Sequence, residues 1–308
     1  MSRNSPLRLI LTGASSLLGW EFLRQAPEDW DILATLHRNQ DLPPGIKRPA
    51  VLLDITSHEQ VCALVTEFRP QIIVHLSSRG DLDYCKAHPE EAWSVNVEGT
   101  RNLLECSRLF RPAFLFLSTM YVFDGTHPPY DEEAATHPIN EYARTKLAAE
   151  KLVLEESAQP TILRPMAMYG WHSRGQRMNW VTWLLGKLRN GEQVRVVNDV
   201  YNNHLWAGDA ARAVRMAIEK RTSGIFHVGG AEISSRYEFS LDVARVFNLG
   251  TQLIVPVTSE HFHGIAQRPA NSTCSIRKLR DVLGVEPVGN RTGLLAMKAA
   301  EVDINAQA

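Results

Sequence analysis

The chain has 308 residues, enough for one large domain or a domain with a smaller lobe around a sizeable core. Its 33 Lys and Arg nearly balance its 34 Asp and Glu, and the formal net charge of −1 is spread without long runs of one sign. That balance argues against nucleic acid or an anionic membrane surface as the main partner. Apolar residues make up 44%, as in ordinary globular proteins, yet no stretch is apolar enough to span a bilayer. Met1–Leu11 lacks the apolar core and cleavage site of a secretory leader, so the expected location is the cytoplasm. Cys62, Cys85, Cys106 and Cys274 lie far apart with no C-x-x-C pair, and are expected to be separate thiols in a reducing compartment. Neither zinc-ligand spacing nor an internal repeat is visible, so no metal site is expected.

In chain order, Leu7–Thr12 predicts a first strand, Leu17–Gln25 a helix, Asp31–Leu36 a second strand and Ala50–Leu53 a short third. Ser57, with Gln60 three residues on, predicts a capped helix reaching Phe68. Gln71–Leu76 reads as a fourth strand, Pro89–Phe110 as one long helix and Ala113–Ser118 as a fifth strand. Asn140–Ser157 is a further helix and Thr161–Arg164 a sixth strand. Short, continuously apolar strands separated by helices predict an α/β fold, a Rossmann-type doubly wound parallel sheet buried on both faces. After Tyr169 the rhythm loosens. Helices are expected at Asn179–Arg189, Asp209–Glu219, Arg236–Phe247 and Ile276–Val282, and strands near Val194–Val197, Ile225–Val228 and Leu253–Val255. The expected organisation is a dinucleotide-binding domain over residues 1–169, with a returning segment near 200–230. Residues 170–308 would form mainly a smaller C-terminal α/β substrate lobe.

The run from Leu9 to Gly19 joins a strand, a tight turn and a helix start. Gly13 lets the chain leave the strand, and Gly19 lets the helix pack closely on the sheet. Ser16 stands where a G-x-x-G-x-x-G pattern has its middle glycine. Amides at the helix start and the helix dipole favour a pyrophosphate there. Alone, such a turn is weak evidence; directly after the first strand of a βαβ series it points to a dinucleotide. The second strand ends in Leu36-His37-Arg38-Asn39, without the carboxylate that usually binds the ribose hydroxyls of NAD. Arg38, with His37, can pair a 2′-phosphate, so NADP is preferred over NAD; a solvated loop arginine is the competing account. Asp54 has two compatible uses, accepting a bond from the adenine amino group and capping the next helix.

Tyr142 and Lys146 stand at i and i+4, on one helix face. An ammonium group and an oxidised nicotinamide ring would lower the tyrosine pKa, and such a tyrosine exchanges a proton with a carbonyl or alcohol oxygen. Thr119, just past the fifth strand, can donate a hydrogen bond to the same oxygen. Tyr-x-x-x-Lys is common on solvated helices; its place after the dinucleotide turn gives it weight.

These residues resemble the extended short-chain dehydrogenases, and within them the dTDP-4-dehydrorhamnose reductase family. The likeness runs from about Leu7 to Gly284. It is carried by Gly13–Gly19 followed by Trp20-Glu21-Phe22, by Val95-Asn96-Val97-Glu98-Gly99-Thr100, and by Ser118-Thr119-Met120-Tyr121-Val122-Phe123-Asp124-Gly125. Arg164–Gly170 and Arg268-Pro269 with Ser272 and Lys278-Leu279 continue it. The resemblance implies Thr119, Tyr142 and Lys146 as the catalytic set. It implies a cofactor site built from Gly13, Ser15, Ser16, Leu17, Leu18, Gly19, His37, Arg38, Asp54, Ile55, Leu76, Ser77, Ser78, Asn96, Tyr142, Lys146 and Met166. Met120, Tyr121, Asn179 and Arg268 would meet the substrate, with Arg268 at its phosphates. The implied reaction is NAD(P)H-dependent reduction of the 4-keto group of a nucleotide-linked 6-deoxysugar, with Tyr142 as proton donor. Homodimers are common among such enzymes.

Two positions depart from the family pattern. Met120 replaces the usual Asp beside the catalytic Thr, and Ala167 stands where rhamnose-pathway reductases tend to carry Trp. Met120 also argues against a sugar-nucleotide dehydratase, which commonly needs an acid there. Trp171, Trp180, Trp183 and Trp206 are expected to pack the lobe rather than stack on a sugar, His75 to be structural and Asp209 to cap a helix. Two other functions compete. One is a sugar-nucleotide epimerase of the same superfamily, which keeps its cofactor. The other is a non-catalytic, NADP-binding regulatory subunit, since the resemblance extends to the β subunit of methionine adenosyltransferase.

Overall fold

The computed structural model describes residues 6–37, 42, 45–171, 178–262 and 264–301. Its first half runs β1 (Arg8–Thr12), α1 (Leu17–Gln25), β2 (Asp31–Leu36), β3 (Ala50–Leu52), α2 (His58–Phe68) and β4 (Ile72–His75). Then come α3 (Leu82–Ala87), α4 (Pro89–Trp93), α5 (Gly99–Ser107), β5 (Ala113–Leu117), α6 (Glu141–Glu156) and β6 (Pro160–Pro165). The second half holds β7 (Met168–Tyr169), α7 (Trp180–Arg189), β8 (Val194–Val197), β9 (Tyr201–Asn202), β10 (Leu205–Trp206), α8 (Ala207–Glu219) and β11 (Gly224–Val228). It ends with β12 (Ser234–Ser235), α9 (Arg236–Val246), β13 (Ile254–Val257) and α10 (Asn290–Ala299).

A seven-stranded parallel sheet in the order β11-β6-β5-β4-β1-β2-β3 forms the centre. Strand side chains alternate between two cores. Leu9, Leu11, Ile32, Ala34, Ile72 and Val74 enter one cluster, while Ile10, Leu33, Ile73, Phe114 and Phe116 enter the other. Helices α1 and α8 pack together on the first side, and α2 and α5 on the second. The strand order reverses between β1 and β4, and ligands of doubly wound sheets bind in the crevice outside the strand ends at that point. A third cluster, with Tyr169, Val181, Leu184, Phe239 and Val243, packs α7, α9 and α10 beside the sheet.

Several elements differ from expectation. The long helix expected over Pro89–Phe110 is divided into α4, a π-helical turn at Ser94–Glu98 and α5, with α3 before them. Gly99 follows the π turn where a Cβ would lie 2.7 Å from Ile55 Cδ1. Asp209 is not a cap: α8 starts at Ala207, and the Asp209 carboxylate accepts the Val288 amide at 2.8 Å and pairs with Arg212. The helix expected at Ile276–Val282 takes π-helical form over Leu279–Leu283, and α10 has no counterpart in the sequence reading. The expectation of four separate thiols is also corrected, because α2 and α5 pack side by side and join Cys62 to Cys106 in a disulfide. Cys85 and Cys274 are buried and outside any disulfide. No helix among the described residues is long and apolar enough to cross a membrane.

Candidate active site

The turn after β1 is shaped by two close approaches. Gly13 has φ 70°, and a Cβ there would sit 2.8 Å from Ser77 N, so the exit of β1 lies directly on the exit of β4. A Cβ on Gly19 would lie 2.5 Å from Gly13 O and 2.7 Å from Ala14 O, which is how closely α1 folds back on the turn. Ser16 caps α1, its Oγ accepting the Gly19 amide at 3.1 Å. With φ −67° it needs no glycine. The first-turn amides of α1 have no carbonyl one turn earlier to accept them, and the positive end of the helix dipole lies with them.

A cavity of about 480 Å³ opens on this turn. Gly13, Ser15, Ser16 and Leu17 line one wall, His37, Asp54 and Ile55 the far end, and Leu76, Ser77 and Ser78 the β4 side. A second cavity, of about 260 Å³, shares Ser16, Leu17, Leu76, Ser78 and Gly80 with the first, so the two form one cleft along the switch point. The second is lined by Leu18, Ser118, Thr119, Met120, Tyr121, Tyr142 and Met166 among others. Asp54 accepts the Thr56 amide and hydroxyl at 2.9 and 2.7 Å. The Thr56 hydroxyl, foremost, holds its carboxyl below the usual range against the opposing effect of burial. Ser57, not Asp54, caps α2. Arg38, expected at a 2′-phosphate, lies outside the described residues.

The chemistry-bearing side chains come from β5 and α6. Thr119, just past β5, is 7% exposed, and its Oγ1 accepts the Tyr121 amide at 3.2 Å. Beside it, Ser118 Oγ is buried in the cavity wall without a hydrogen-bond partner. Helix α6 is capped by Asn140, whose Oδ1 accepts the Ala143 amide at 2.9 Å, and this sets Tyr142 in the first turn. Lys146, one turn on, is buried with its ammonium 4.0 Å from the Phe116 ring centroid. Burial pulls its pKa down to about 7, while Glu150 opposes the fall. Glu150 in turn accepts two hydrogen bonds from Arg164 of β6, at 2.9 and 2.7 Å, in a buried bidentate pair.

Asn96 holds the cleft together from behind. Its Oδ1 accepts the Arg79 amide at 2.7 Å, and its Nδ2 donates to the Arg79 carbonyl at 3.2 Å and to Thr145 Oγ1 at 2.9 Å. It thereby ties the loop after β4 to the helix carrying Tyr142. Asn96, Gly19 and Lys146 do not line either cavity. His75 is structural, buried between Thr12 Oγ1 at 2.7 Å and Thr100 Oγ1 at 3.0 Å. Burial, then Lys146, holds its pKa well below the ordinary histidine value.

Of the residues expected on the substrate side, Met120 and Tyr121 line the second cavity. Asn179 is engaged as the cap of α7, accepting the Val181 and Thr182 amides and donating to the Gly170 carbonyl at 2.7 Å. Arg268 donates to Asp83 at 2.9 Å and to the Ala266 carbonyl at 2.6 Å, and lines neither cavity. The tryptophans pack. Trp171 Nε1 donates to the Met297 carbonyl, and Trp180 and Trp183 meet ring to ring at 4.9 Å. Sequence reasoning missed three residues at the cleft. Ser118 and Gly80 line it, and Arg236, half-buried over the Trp180 ring, stands beside Tyr121. Ser118 precedes the expected Thr119 and was within reach; Arg236 looks like any helix-start arginine.

The donor set fits a dinucleotide. The helix start offers amides to a pyrophosphate, Asp54 lines the same cavity with a carboxylate for an adenosine, and Ser118, its hydroxyl without a partner, lines the second cavity together with Tyr142. Comparisons with known proteins agree on the fold. The sequence model of the RmlD substrate binding domain matches residues 7–302. Methionine adenosyltransferase 2 subunit beta of Bos taurus is 30% identical over 298 residues, covering 92% of this chain and 84% of that protein. The dTDP-4-dehydrorhamnose reductase of Aggregatibacter actinomycetemcomitans is 28% identical over 292 residues, covering 91% and 94%. Among solved structures, dTDP-4-dehydrorhamnose reductase from Bacillus anthracis in complex with NADP superposes with a TM-score of 0.84 at 28% identity. That match covers 96% of this chain and 99% of the other.

Proposed function

The chain belongs to the RmlD substrate binding domain family, and from that premise we propose that it is a nicotinamide-dependent reductase of a nucleotide-linked keto-deoxysugar, with NADPH as the preferred donor. The observation that carries this reading is the second cavity. There Thr119 and Tyr142 share one wall-lined space with Ser16–Leu18 of the phosphate turn and with Met166. A hydroxyl pair that opens onto the dinucleotide cleft has a use in redox chemistry that a purely structural pair would not. The relatives named dTDP-4-dehydrorhamnose reductase support the same reading.

When bound, NADPH supplies the hydride. Gly13 and the amides at the start of α1 would hold its pyrophosphate, and His37, Asp54, Ile55, Ser77 and Ser78, which line the same cavity, would hold the rest of the dinucleotide. Thr119 donates a hydrogen bond to the ketone oxygen, and Tyr142 gives its phenolic proton to that oxygen as the alcohol forms. Lys146, one turn along α6, favours the phenolate that remains. Met120 and Tyr121 border the sugar. Met120 contributes no acid at this position, which suits a reduction needing only one proton donor.

A dTDP-4-keto-6-deoxyhexose supplied with NADPH is expected to give multiple-turnover loss of cofactor fluorescence. Tyr142→Phe is expected to lower turnover by about 10²- to 10⁴-fold while leaving NADPH binding within a few-fold of wild type. Full activity in that variant removes the proposed proton donor. A second reading follows from the methionine adenosyltransferase relatives, whose name makes them subunits of another enzyme. It predicts tight NADPH binding, no oxidation with any keto-sugar nucleotide, and co-elution with a methionine adenosyltransferase.

A further inference from the structure

Helices α2 and α5 meet at a cluster outside the cleft. His58 opens α2, and Cys62 follows one turn later on the same face. Cys106 and Glu105 come from α5, and the Cα atoms of Cys62 and Cys106 are 4.7 Å apart across a sequence separation of 44. Both ring nitrogens of His58 lie near Cys62 Sγ, at 3.8 and 3.7 Å, and His58 Nε2 is 3.7 Å from a Glu105 carboxylate oxygen. The donor atoms of His58, Cys62 and Cys106 all fall within 4.8 Å of one another. The sequence predicts no metal here because two of the donors come from a helix far along the chain.

This spacing is what a tetrahedral cation with nitrogen and sulfur ligands needs. Bond lengths of about 2.3 Å to sulfur and about 2.0–2.1 Å to nitrogen put N and S ligands about 3.6 Å apart and two sulfurs about 3.8 Å apart. The His58 to Cys62 distances already match, at 3.8 and 3.7 Å; the two sulfurs, bonded to each other, are too close and must separate for both to bind. We propose that Cys62, Cys106 and His58, with Glu105 closing the fourth position, form a redox-gated site for a soft divalent cation of the zinc type. The site is open when the disulfide is reduced and shut when it re-forms. The chemistry balances with a small-molecule thiol as reductant. Two equivalents of the thiol reduce the S–S bond, giving two protein thiols and one disulfide of the reductant. The cation then displaces two thiol protons to solvent, and the two thiolates neutralise its charge. His58 is 59% and Glu105 40% exposed at the side chain, so the cation enters directly from solvent.

Cobalt(II) serves as the probe, because thiolate ligands give it a charge-transfer band in the near ultraviolet and tetrahedral geometry gives intense visible bands. The full-length protein is reduced, freed of reductant and titrated with cobalt(II) alone. The expected result is one cobalt per chain with both signatures, displaced by zinc, and neither signature in protein kept oxidised. Cys62→Ser/Cys106→Ser should abolish the charge-transfer band. His58→Ala should keep part of it while weakening binding by more than the roughly 10- to 100-fold typical of losing an outer-shell partner. A disulfide that resists reduction overturns the proposal, as does a reduced protein with the thiols free but no such band. A band that survives in the double variant also overturns it, since it would arise from Cys85 or Cys274. None of these outcomes depends on keto-sugar turnover, so the proposed reductase activity stands or falls separately.

Discussion

Lys146 turns burial into a measurable pH dependence. Its ordinary pKa of 10.5 falls to about 7 in the folded chain, chiefly because the ammonium loses water, while Glu150 opposes the fall. Between these two values the unfolded chain holds a proton that the folded chain has released. The contribution of Lys146 to stability therefore rises with pH across that window and is least favourable below about 7. Lys146→Met removes the charge along with its desolvation penalty. The cofactor-free variant is predicted to be more stable than wild type below pH 7, with the advantage shrinking as the pH climbs towards 10.5. Thermal melts of both proteins across this range test it. A difference that stays constant would mean that the lysine keeps its proton in the folded state across this range. The four-residue spacing of Tyr142 and Lys146 on α6 was legible in the sequence, and puts both on one helix face. The burial of Lys146 was not legible, since it depends on Phe116 from β5 and on Glu150 being engaged by Arg164 of β6.

At the scale of elements, the helix leading away from the cleft matters through its irregularity. Strands and the first turn could be read directly from apolar runs and the Gly13 to Gly19 spacing, because both are local patterns. The π turn at Ser94–Glu98 could not, since nothing in its composition departs from an ordinary helix. That turn carries Asn96, whose partners Arg79 and Thr145 stand 17 and 49 residues away. Asp209 shows the converse. It looks like a cap in sequence, yet its carboxylate serves the amide of Val288, 79 residues on. Asn96→Ala leaves the Arg79 amide and carbonyl without their side-chain partner and loosens the loop from Ser77 to Gly80. Destabilisation of about 1–3 kcal/mol is expected, since buried groups lose hydrogen bonds that water does not replace. A several-fold weaker NADPH affinity should accompany it, because Ser78 and Gly80 line both cavities. Urea midpoints and fluorescence titration measure the two effects. Lost stability with unchanged affinity would confine Asn96 to a purely structural role.

The whole molecule packs as two cores on the faces of one sheet and a third cluster around α7, α9 and α10. The cleft at the switch point is lined by the ends of β1, β4, β5 and β6 and the start of α6, while the third cluster supplies none of the first cavity's lining. This arrangement separates binding of cofactor from integrity of the lobe, and Phe239 tests the separation. It is 1% exposed, stacks on His204 at 3.9 Å and tilts against Tyr169 at 5.1 Å. Phe239→Ala should cost about 3–5 kcal/mol through lost burial and a residual cavity. While the protein remains folded, its NADPH affinity should stay within about 2-fold of wild type, since contacts to the dinucleotide are untouched and distant effects add independently. The Michaelis constant for the proposed keto-sugar should rise, because α9 begins at Arg236, which stands beside Tyr121 of the second cavity. A parallel collapse of NADPH binding would show that the lobe and the dinucleotide layers unfold as one cooperative unit. Affinity held while stability falls would mean that the lobe can vary in sequence without disturbing the proposed dinucleotide contacts.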